Sequence, residues 1–429
     1  MSQKKTLKKH FVNLGHSTKR MGKSSIYVGL EIGTTKICVV VGEVRGDGAI
    51  KILGVGEAPS RGVRKGEIVD FDTAQTCLHD ALVRAEDRSD VMIRNVYLSM
   101  TGSHIESLNN RGCIRVPEDQ NEVTYDDLEE AKEIARDVPV PHDNAFLHSI
   151  IRHYYVDGGE KVLNPVGMLG TKLEADYHII HGMRSRIQNS IRCVREIPLE
   201  VEDIVFSPIA AAQVLLSRDN KEQGALVIDM GGGTTDFVLY SEGSIAQSGA
   251  VGIGGDHITN DISIVMKIPI KKAEELKVKE ATAYLLDETE AEPIELPDDT
   301  SFTGKVIDRA LLNEVVHMRV REIFEHIRRS LEEGGDVGRV ASGVFLSGGC
   351  SLIGGVREIA EEILELPVQR PDAAPMSGLN ATFENPRYAV PIGLIRYAQI
   401  LADERPVLSP LARLGSKLTD FFGGSRSGV

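Results

Sequence analysis

Asp229 to Asp236 reads Asp-Met-Gly-Gly-Gly-Thr-Thr-Asp and lies between two apolar runs, Ala225 to Ile228 and Phe237 to Tyr240. An acid at the end of a strand can hold a hydrated divalent cation. Bare glycine backbone lets main-chain N–H groups approach an anion closely, and threonine hydroxyls add donors. The chemistry open to this stretch is the holding of phosphate and its metal. The same pattern also describes a tight hairpin turn that binds nothing.

A second stretch repeats the order of residue types. Glu31-Ile-Gly-Thr-Thr-Lys36 follows Ile26 to Leu30 and precedes Ile37 to Val41, and the echo runs on from Gly48-Ala-Ile-Lys-Ile-Leu-Gly to Gly243-Ser-Ile-Ala-Gln-Ser-Gly. Each copy predicts three successive antiparallel strands and then a helix, over Asp72 to Asp87 in the first and Asp256 to Lys267 in the second. Repeats this long predict duplicated domains. Facing one another, they would bring two glycine-threonine tips to one cleft, able to clasp a polyphosphate from both sides. A third motif, Gly343-Val-Phe-Leu-Ser-Gly-Gly-Cys-Ser-Leu-Ile-Gly-Gly355, is a buried strand ending in a Gly-Gly turn before the amphipathic run Val356 to Leu366. Such a junction lets backbone pack flat against a nucleoside, and it also describes any strand-to-helix turn. Its counterpart in the first copy is Asp203-Ile-Val-Phe-Ser-Pro-Ile-Ala-Ala-Ala-Gln213.

The chain of 429 residues has room for two or three domains. Its 49 basic and 63 acidic residues leave a net charge of −14, which argues against a protein that coats nucleic acid. Five cysteines, odd in number and without a C-x-x-C pair, indicate neither a disulfide framework nor a zinc site. A reducing cytosol is the expected compartment. The most apolar windows, such as Val390 to Ala402 with Arg396 inside it, are too short to span a bilayer.

Residues 1–24 carry Lys4, Lys5, Lys8, Lys9, Lys19, Arg20 and Lys23 and no acid. They predict a disordered basic arm, either drawn to anionic lipid or simply solvated. At the other end a linker over 402–410 leads to Ser409-Pro410, an N-cap and first-turn pair. In the helix predicted over 411–422, Leu411, Leu414, Leu418, Phe421 and Phe422 share one face, opposite Arg413, Ser416, Lys417 and Asp420. That amphipathic pattern suits a membrane interface, and equally a helix docked on its own domain.

Three glycine-rich motifs in this order, on a duplicated three-strand unit, resemble the ATPase superfamily of actin, heat-shock chaperones and sugar kinases. Within it, Val28-Gly-Leu-Glu-Ile-Gly-Thr-Thr-Lys36, Val96-Tyr-Leu-Ser-Met-Thr-Gly-Ser-His-Ile-Glu-Ser107 with Asn110-Arg-Gly112, and Gly254-Gly-Asp-His-Ile-Thr-Asn-Asp-Ile262 are similar to the bacterial FtsA cell-division family. The likeness runs from about Ile26 to Leu401.

The resemblance implies an α/β, actin-like fold of duplicated ribonuclease-H-like domains. The first is split over 25–94 and 197–223, a small α/β subdomain is inserted over 95–196, and the second covers 224–401 with a small lobe at about 271–340. It implies ATP and Mg²⁺. Gly33, Thr34, Thr35 and Lys36 would form one phosphate loop, and Gly231, Gly232, Gly233, Thr234 and Thr235 the other. Gly348, Gly349, Cys350 and Ser351 would lie near the adenosine, and Asp229 would hold Mg²⁺ through water. Glu31 stands where much of the superfamily has aspartate, which keeps the charge but moves it. Arg319 and Glu322, on a helix predicted over Leu311 to Leu331, would flank the adenine, or form a solvated i,i+3 pair.

The implied partners are the C-terminal tail of the tubulin-like FtsZ at the small lobe, further copies of the chain in a filament, and anionic lipid at the tail helix. Other division proteins would bind through the inserted subdomain, nucleic acid is not expected, and the place of work would be the cytoplasmic face of the plasma membrane at the division site. Ser207 departs from the pattern. Hydrolytic relatives carry Glu or Gln there to position the attacking water, and serine is too short and too weak a base for that task. Slow or negligible hydrolysis is expected. Two other readings share the superfamily fold: a PilM-type pilus-assembly ATP-binding protein, whose fold is similar but which the amphipathic tail disfavours, and an ATPase or kinase enzyme.

Overall fold

The computed structural model describes residues 24–117, 121–285, 292–298, 302–335, 337–370, 376–377 and 385–404. The basic arm up to residue 23 and the tail with Leu411, Leu414, Leu418, Phe421 and Phe422 lie outside the described residues.

The chain opens as a meander of β1 (Ser25–Ile32), β2 (Lys36–Val44) and β3 (Ile50–Pro59). The run Ile37 to Val41 on β2 is wholly buried, as a central strand covered on both faces must be. Helix α1 (Phe71–Ser89) begins where Asp70 accepts from Thr73 N at 3.2 Å and ends at the left-handed Asp90. It lies flat on β3 because both surfaces are small: a Cβ at Gly56 would collide with Ala81 O. β4 (Asn95–Met100) then joins β1 in parallel.

The insertion follows. β5 (Glu106–Arg115), β6 (Asn144–Val156) and β7 (Lys172–Met183) form an antiparallel sheet in the order β5-β7-β6, extended by the short strand Lys161–Val162. Helix α2 (Tyr125–Arg136) covers it, started by a capping box between Thr124 and Asp127. Helix α3 (Arg184–Arg195) returns to α1, β8 (Glu200–Phe206) pairs in parallel with β4, and α4 (Ser207–Leu215) completes the first pass. The first sheet reads β8-β4-β1-β2-β3, with Met376–Ser377 at its far edge.

The second domain repeats the plan with β9 (Ala225–Met230), β10 (Thr235–Ser241) and β11 (Ser244–Val251), then α5 (Gly255–Met266) and α6 (Ile270–Lys279). A two-stranded pair, Ile294–Leu296 with Lys305–Ile307, precedes the long helix α7 (Arg309–Gly334). β12 (Val344–Ser347) and α8 (Val356–Leu364) finish it, in sheet order β11-β10-β9-β12.

Three boundaries differ from those expected. Val96 to Met100 is a strand of the first sheet, and α3 packs on α1, so the insertion covers 101–183 instead of 95–196. The last helix, α9 (Ala389–Glu404), belongs to the first domain's core, not the second's: Val390, Ile392, Leu394, Ile395 and Leu401 are buried with β1, β2 and α4. Glycines make that crossing possible, since a Cβ at Gly29 would collide with Pro391 O and one at Gly393 with Ala210 O.

Candidate functional site

The two domains enclose a cavity of about 660 Å³. The first β-hairpin of each domain points its tip into it, and the tips share one construction. β1 and β2 pair up to Ile32 and Ile37, and β9 and β10 up to Met230 and Thr235. Each turn is closed by a backbone bond of 2.9 Å, Gly33 N to Lys36 O and Gly231 N to Thr234 O. The threonine pairs therefore do not superimpose, despite their match in sequence. Thr34 and Thr35 correspond to Gly232 and Gly233, Lys36 to Thr234, Glu31 to Asp229, and Cys38 to Asp236. The tips lie against each other, for a Cβ at Gly232 would run into Thr35 and one at Gly233 into Thr34 Oγ1.

Gly33, Thr34, Thr35, Lys36, Gly231, Gly232, Gly233 and Thr234 line the cavity, with Glu31 and Asp229 at their bases. Thr235 braces the loop instead, fully buried with its hydroxyl on Ile253 O at 2.9 Å. Beside the second tip, Gly348, Gly349 and Cys350 form part of the cavity wall, while Ser351 turns back to Gly348 O at 2.7 Å. Cys350 Sγ donates to Gly231 O at 3.3 Å, and burial pushes its thiol up to about 11. The N-terminus of α5 is tied to the second tip by Gly255 N on Gly231 O and Asp256 N on Gly232 O, at 3.0 and 2.7 Å.

Arg319 and Glu322 stand elsewhere. They form the i,i+3 ion pair on α7, with Arg319 Nε also on Asp261 Oδ2 at 2.7 Å, and line a separate hollow with Val265, Leu311 and Met318. Helix α6 takes the place expected of α7 at the cavity mouth, where Glu274, Lys277, Val278 and Ala281 line the wall. The physical cause is Lys277, buried between Gly255 O at 3.1 Å and Thr259 Oγ1 at 2.8 Å, which pins α6 over α5. A Glu-x-x-Lys pair in a short amphipathic helix was the available signal.

Charge separates the two halves. Buried Lys36 and half-buried Glu31 form an ion pair. Burial works against the charge on Lys36, but the Glu31 carboxylate outweighs it and holds the ammonium above the usual lysine range. Asp229 and Asp236 face each other across β9 and β10 without such a partner. Burial, then Glu31, pushes Asp229 up to about 7, against the bond it accepts from Ser347 Oγ at 2.9 Å. Burial pushes Asp236 up to about 8, although Thr101 and Thr234 donate to it.

Asp236 Oδ1 is buried without a hydrogen-bond partner. A bare acid pair beside glycine backbone fits a divalent cation with its water shell. No group of three or more His, Cys, Asp or Glu placed to hold a metal occurs among the described residues, so such an ion would take most of its ligands from phosphate and water. Ser207, at the start of α4, lines the cavity with its hydroxyl donated to Met100 O at 3.1 Å. It presents neither carboxylate nor amide.

Two like domains, each built on a three-strand meander with a glycine tip, closed over one cleft and carrying an inserted subdomain, define the actin-like fold. Solved structures agree on that fold. The PilM-PilN type IV pilus biogenesis complex matches with a TM-score of 0.60 at 15% identity, over 89% of this chain and 99% of that one. MreB5 of Spiroplasma citri bound to ADP matches at 0.52 and 16%, over 88% and 97%. A family model described as cell division protein FtsA covers residues 226–393, and one described as the SHS2 domain inserted in FtsA covers 102–181. Cell division protein FtsA of Pseudomonas aeruginosa is 35% identical over 370 residues, 86% of this chain and 88% of the relative. That of Borreliella burgdorferi is 32% identical over 395 residues, 92% and 95%. The chain belongs to the FtsA family of cell-division proteins.

Proposed function

We propose that the chain binds ATP with Mg²⁺ in the interdomain cavity, turns it over slowly, and uses the bound state to assemble into filaments. The filaments tie the FtsZ ring to the cytoplasmic face of the plasma membrane at the division site and recruit later division proteins through the inserted subdomain. The observation that carries the nucleotide reading is the meeting of two like tips in one cavity: bare backbone and the acid pair on one side, Lys36 on the other. When bound, ATP supplies an anionic chain that Lys36 and the tip N–H groups neutralise, and Mg²⁺ offsets charge at Asp229 and Asp236. Glu31, engaged by Lys36, takes a lesser part at the metal.

Ser207 supports slow turnover, because nothing at the head of α4 can orient or deprotonate a water. The hollow beside Arg319, with apolar Val265 and Met318 amid charged neighbours, suits a short peptide, and we place the FtsZ tail there. No helix among the described residues is long and apolar enough to cross a membrane. Attachment is assigned to residues 411–422, whose sequence pattern of Leu411, Leu414, Leu418, Phe421 and Phe422 would bind a membrane weakly alone and firmly when a filament multiplies it.

The test is co-sedimentation of the purified chain and an FtsZ C-terminal peptide with anionic liposomes. ATP should increase recruitment of the peptide, and removal of residues 409–429 should abolish it. Pelleting that persists after that deletion refutes the anchor.

A further inference from the structure

Between β3 and α1 the chain folds into a small hairpin, Val63–Arg64 against Glu67–Ile68, whose turn residues are both left-handed, Lys65 at φ 51 and Gly66 at φ 75. That turn demands positive φ at both positions and favours Asn-Gly, so a lysine at its first position is held there against local preference. The placement gives a reason. Gly66 N donates to Thr34 Oγ1 of the first tip at 3.0 Å. On the other side, a Cβ at Gly233 of the second tip would lie 2.6 Å from Lys65 Cα and 2.8 Å from Lys65 N.

Beneath the turn, a Cβ at Gly66 would lie 2.8 Å from Thr101 Cγ2, and Thr101 Oγ1 meets Thr234 Oγ1 at 2.8 Å. One turn thus touches both tips and the threonine that joins them.

The turn also carries charge toward the second domain. His257, at the head of α5, is held below the usual histidine range first by burial and then by the charge of Lys65. Arg64 works in the same direction on Asp256, whose carboxyl burial raises and Lys277 and Arg64 lower. The hairpin base is fixed by the Arg186–Glu67 ion pair.

We infer that Arg64-Lys65-Gly66 is a latch for the terminal phosphate of a bound nucleoside triphosphate, its backbone holding the two tips together and Lys65 supplying charge to the third phosphate. The inference rests on reading the cavity as an ATP site. A diphosphate held by its nucleoside beside Gly348 is one phosphate shorter and leaves the latch unengaged. Lys65 is therefore a positioning and discriminating residue.

The experiment is calorimetric titration of the full chain with Mg²⁺ and either ADP or a non-hydrolysable ATP analogue. Lys65→Asn keeps a residue that tolerates the left-handed turn and removes the charge. It should weaken the triphosphate about tenfold and ADP less than about twofold. Lys65→Arg should restore triphosphate affinity to within about threefold, and the melting temperature without nucleotide should not fall in either variant, Lys65→Asn relieving the left-handed turn. Equal loss for both nucleotides, no loss for either, or no rescue by arginine overturns the latch while leaving the ATP site standing. A wild-type chain that binds neither nucleotide overturns both.

Discussion

The tip of the first domain and the tip of the second share one backbone and differ in chemistry. Each is a four-residue turn closed by the same 2.9 Å bond, yet the first carries Thr34, Thr35 and Lys36 where the second carries Gly232, Gly233 and Thr234. The strand positions beside them diverge as well. Glu31 faces Cys38 on one hairpin, and Asp229 faces Asp236 on the other. Duplication supplied a scaffold that turns two backbone tips into one cavity, and the differing residues give the cleft a polarity. The first half holds a buried cation balanced by its own acid. The second holds two acids with no cation of their own, which a metal bound with phosphate would balance.

The largest effect should come from adding bulk where only the second tip is bare. Gly233→Val places a branched side chain against the Lys65 backbone and Thr34, and should lower ATP affinity by more than about 100-fold. At the corresponding position of the first tip, which already carries a β-branched side chain, Thr35→Val should cost less than about tenfold. Fluorescent-nucleotide titration of both variants decides it, and equal losses would erase the distinction between a backbone tip and a side-chain tip.

Next in size is Lys36→Met, which leaves the half-buried, cavity-lining Glu31 without its cation. Unfolding in urea should report a loss of about 1 to 2 kcal/mol. An unchanged midpoint would mean that the pair does not hold the first tip.

The acid pair makes a smaller prediction with a defined sign. Asp229 and Asp236 are raised to about 7 and about 8, so without nucleotide the folded chain keeps protons that the unfolded chain releases. Their contribution to stability is full at about pH 4 and is lost as the pH rises through about 8. Asp236→Asn removes one of these protons from the balance. Its melting temperature should match the wild type near pH 4.5 and exceed it by a few degrees near pH 9. Parallel curves across that range would show that the pair is not buried as described.

Much of this was legible in the sequence, because glycine tips, flanking apolar runs and their repetition are local signals. The register of the two tips was not. Matching Thr34-Thr35 to Thr234-Thr235 is the natural alignment of letters, whereas equal turn length sets Thr34 against Gly232. The placement of Arg319 and Glu322 in a separate hollow was hidden for a related reason. Glu274 with Lys277 and Arg319 with Glu322 have the same i,i+3 spacing on successive helices, and only packing over α5 decides which helix reaches the cavity. Long-range returns were hidden too. Val96 to Met100 reads as the start of an insertion until its parallel pairing with β1 is seen, and α9 reads as the end of the second domain until Gly29 and Gly393 bring it against the first. Thr101 and Lys65 gave no local sign, since each takes its meaning from what lies across the cleft.

Steady-state ATP turnover by the purified full chain, with bound nucleotide counted in the same preparation, tests the central claim most directly. A clasp completed on both sides but lacking a water-orienting group at Ser207 predicts about one ATP per chain and turnover well below about 1 per second, with Ser207→Glu raising the rate at least about tenfold. Turnover of about ten per second or more in the wild type, or no bound nucleotide at all, would contradict it.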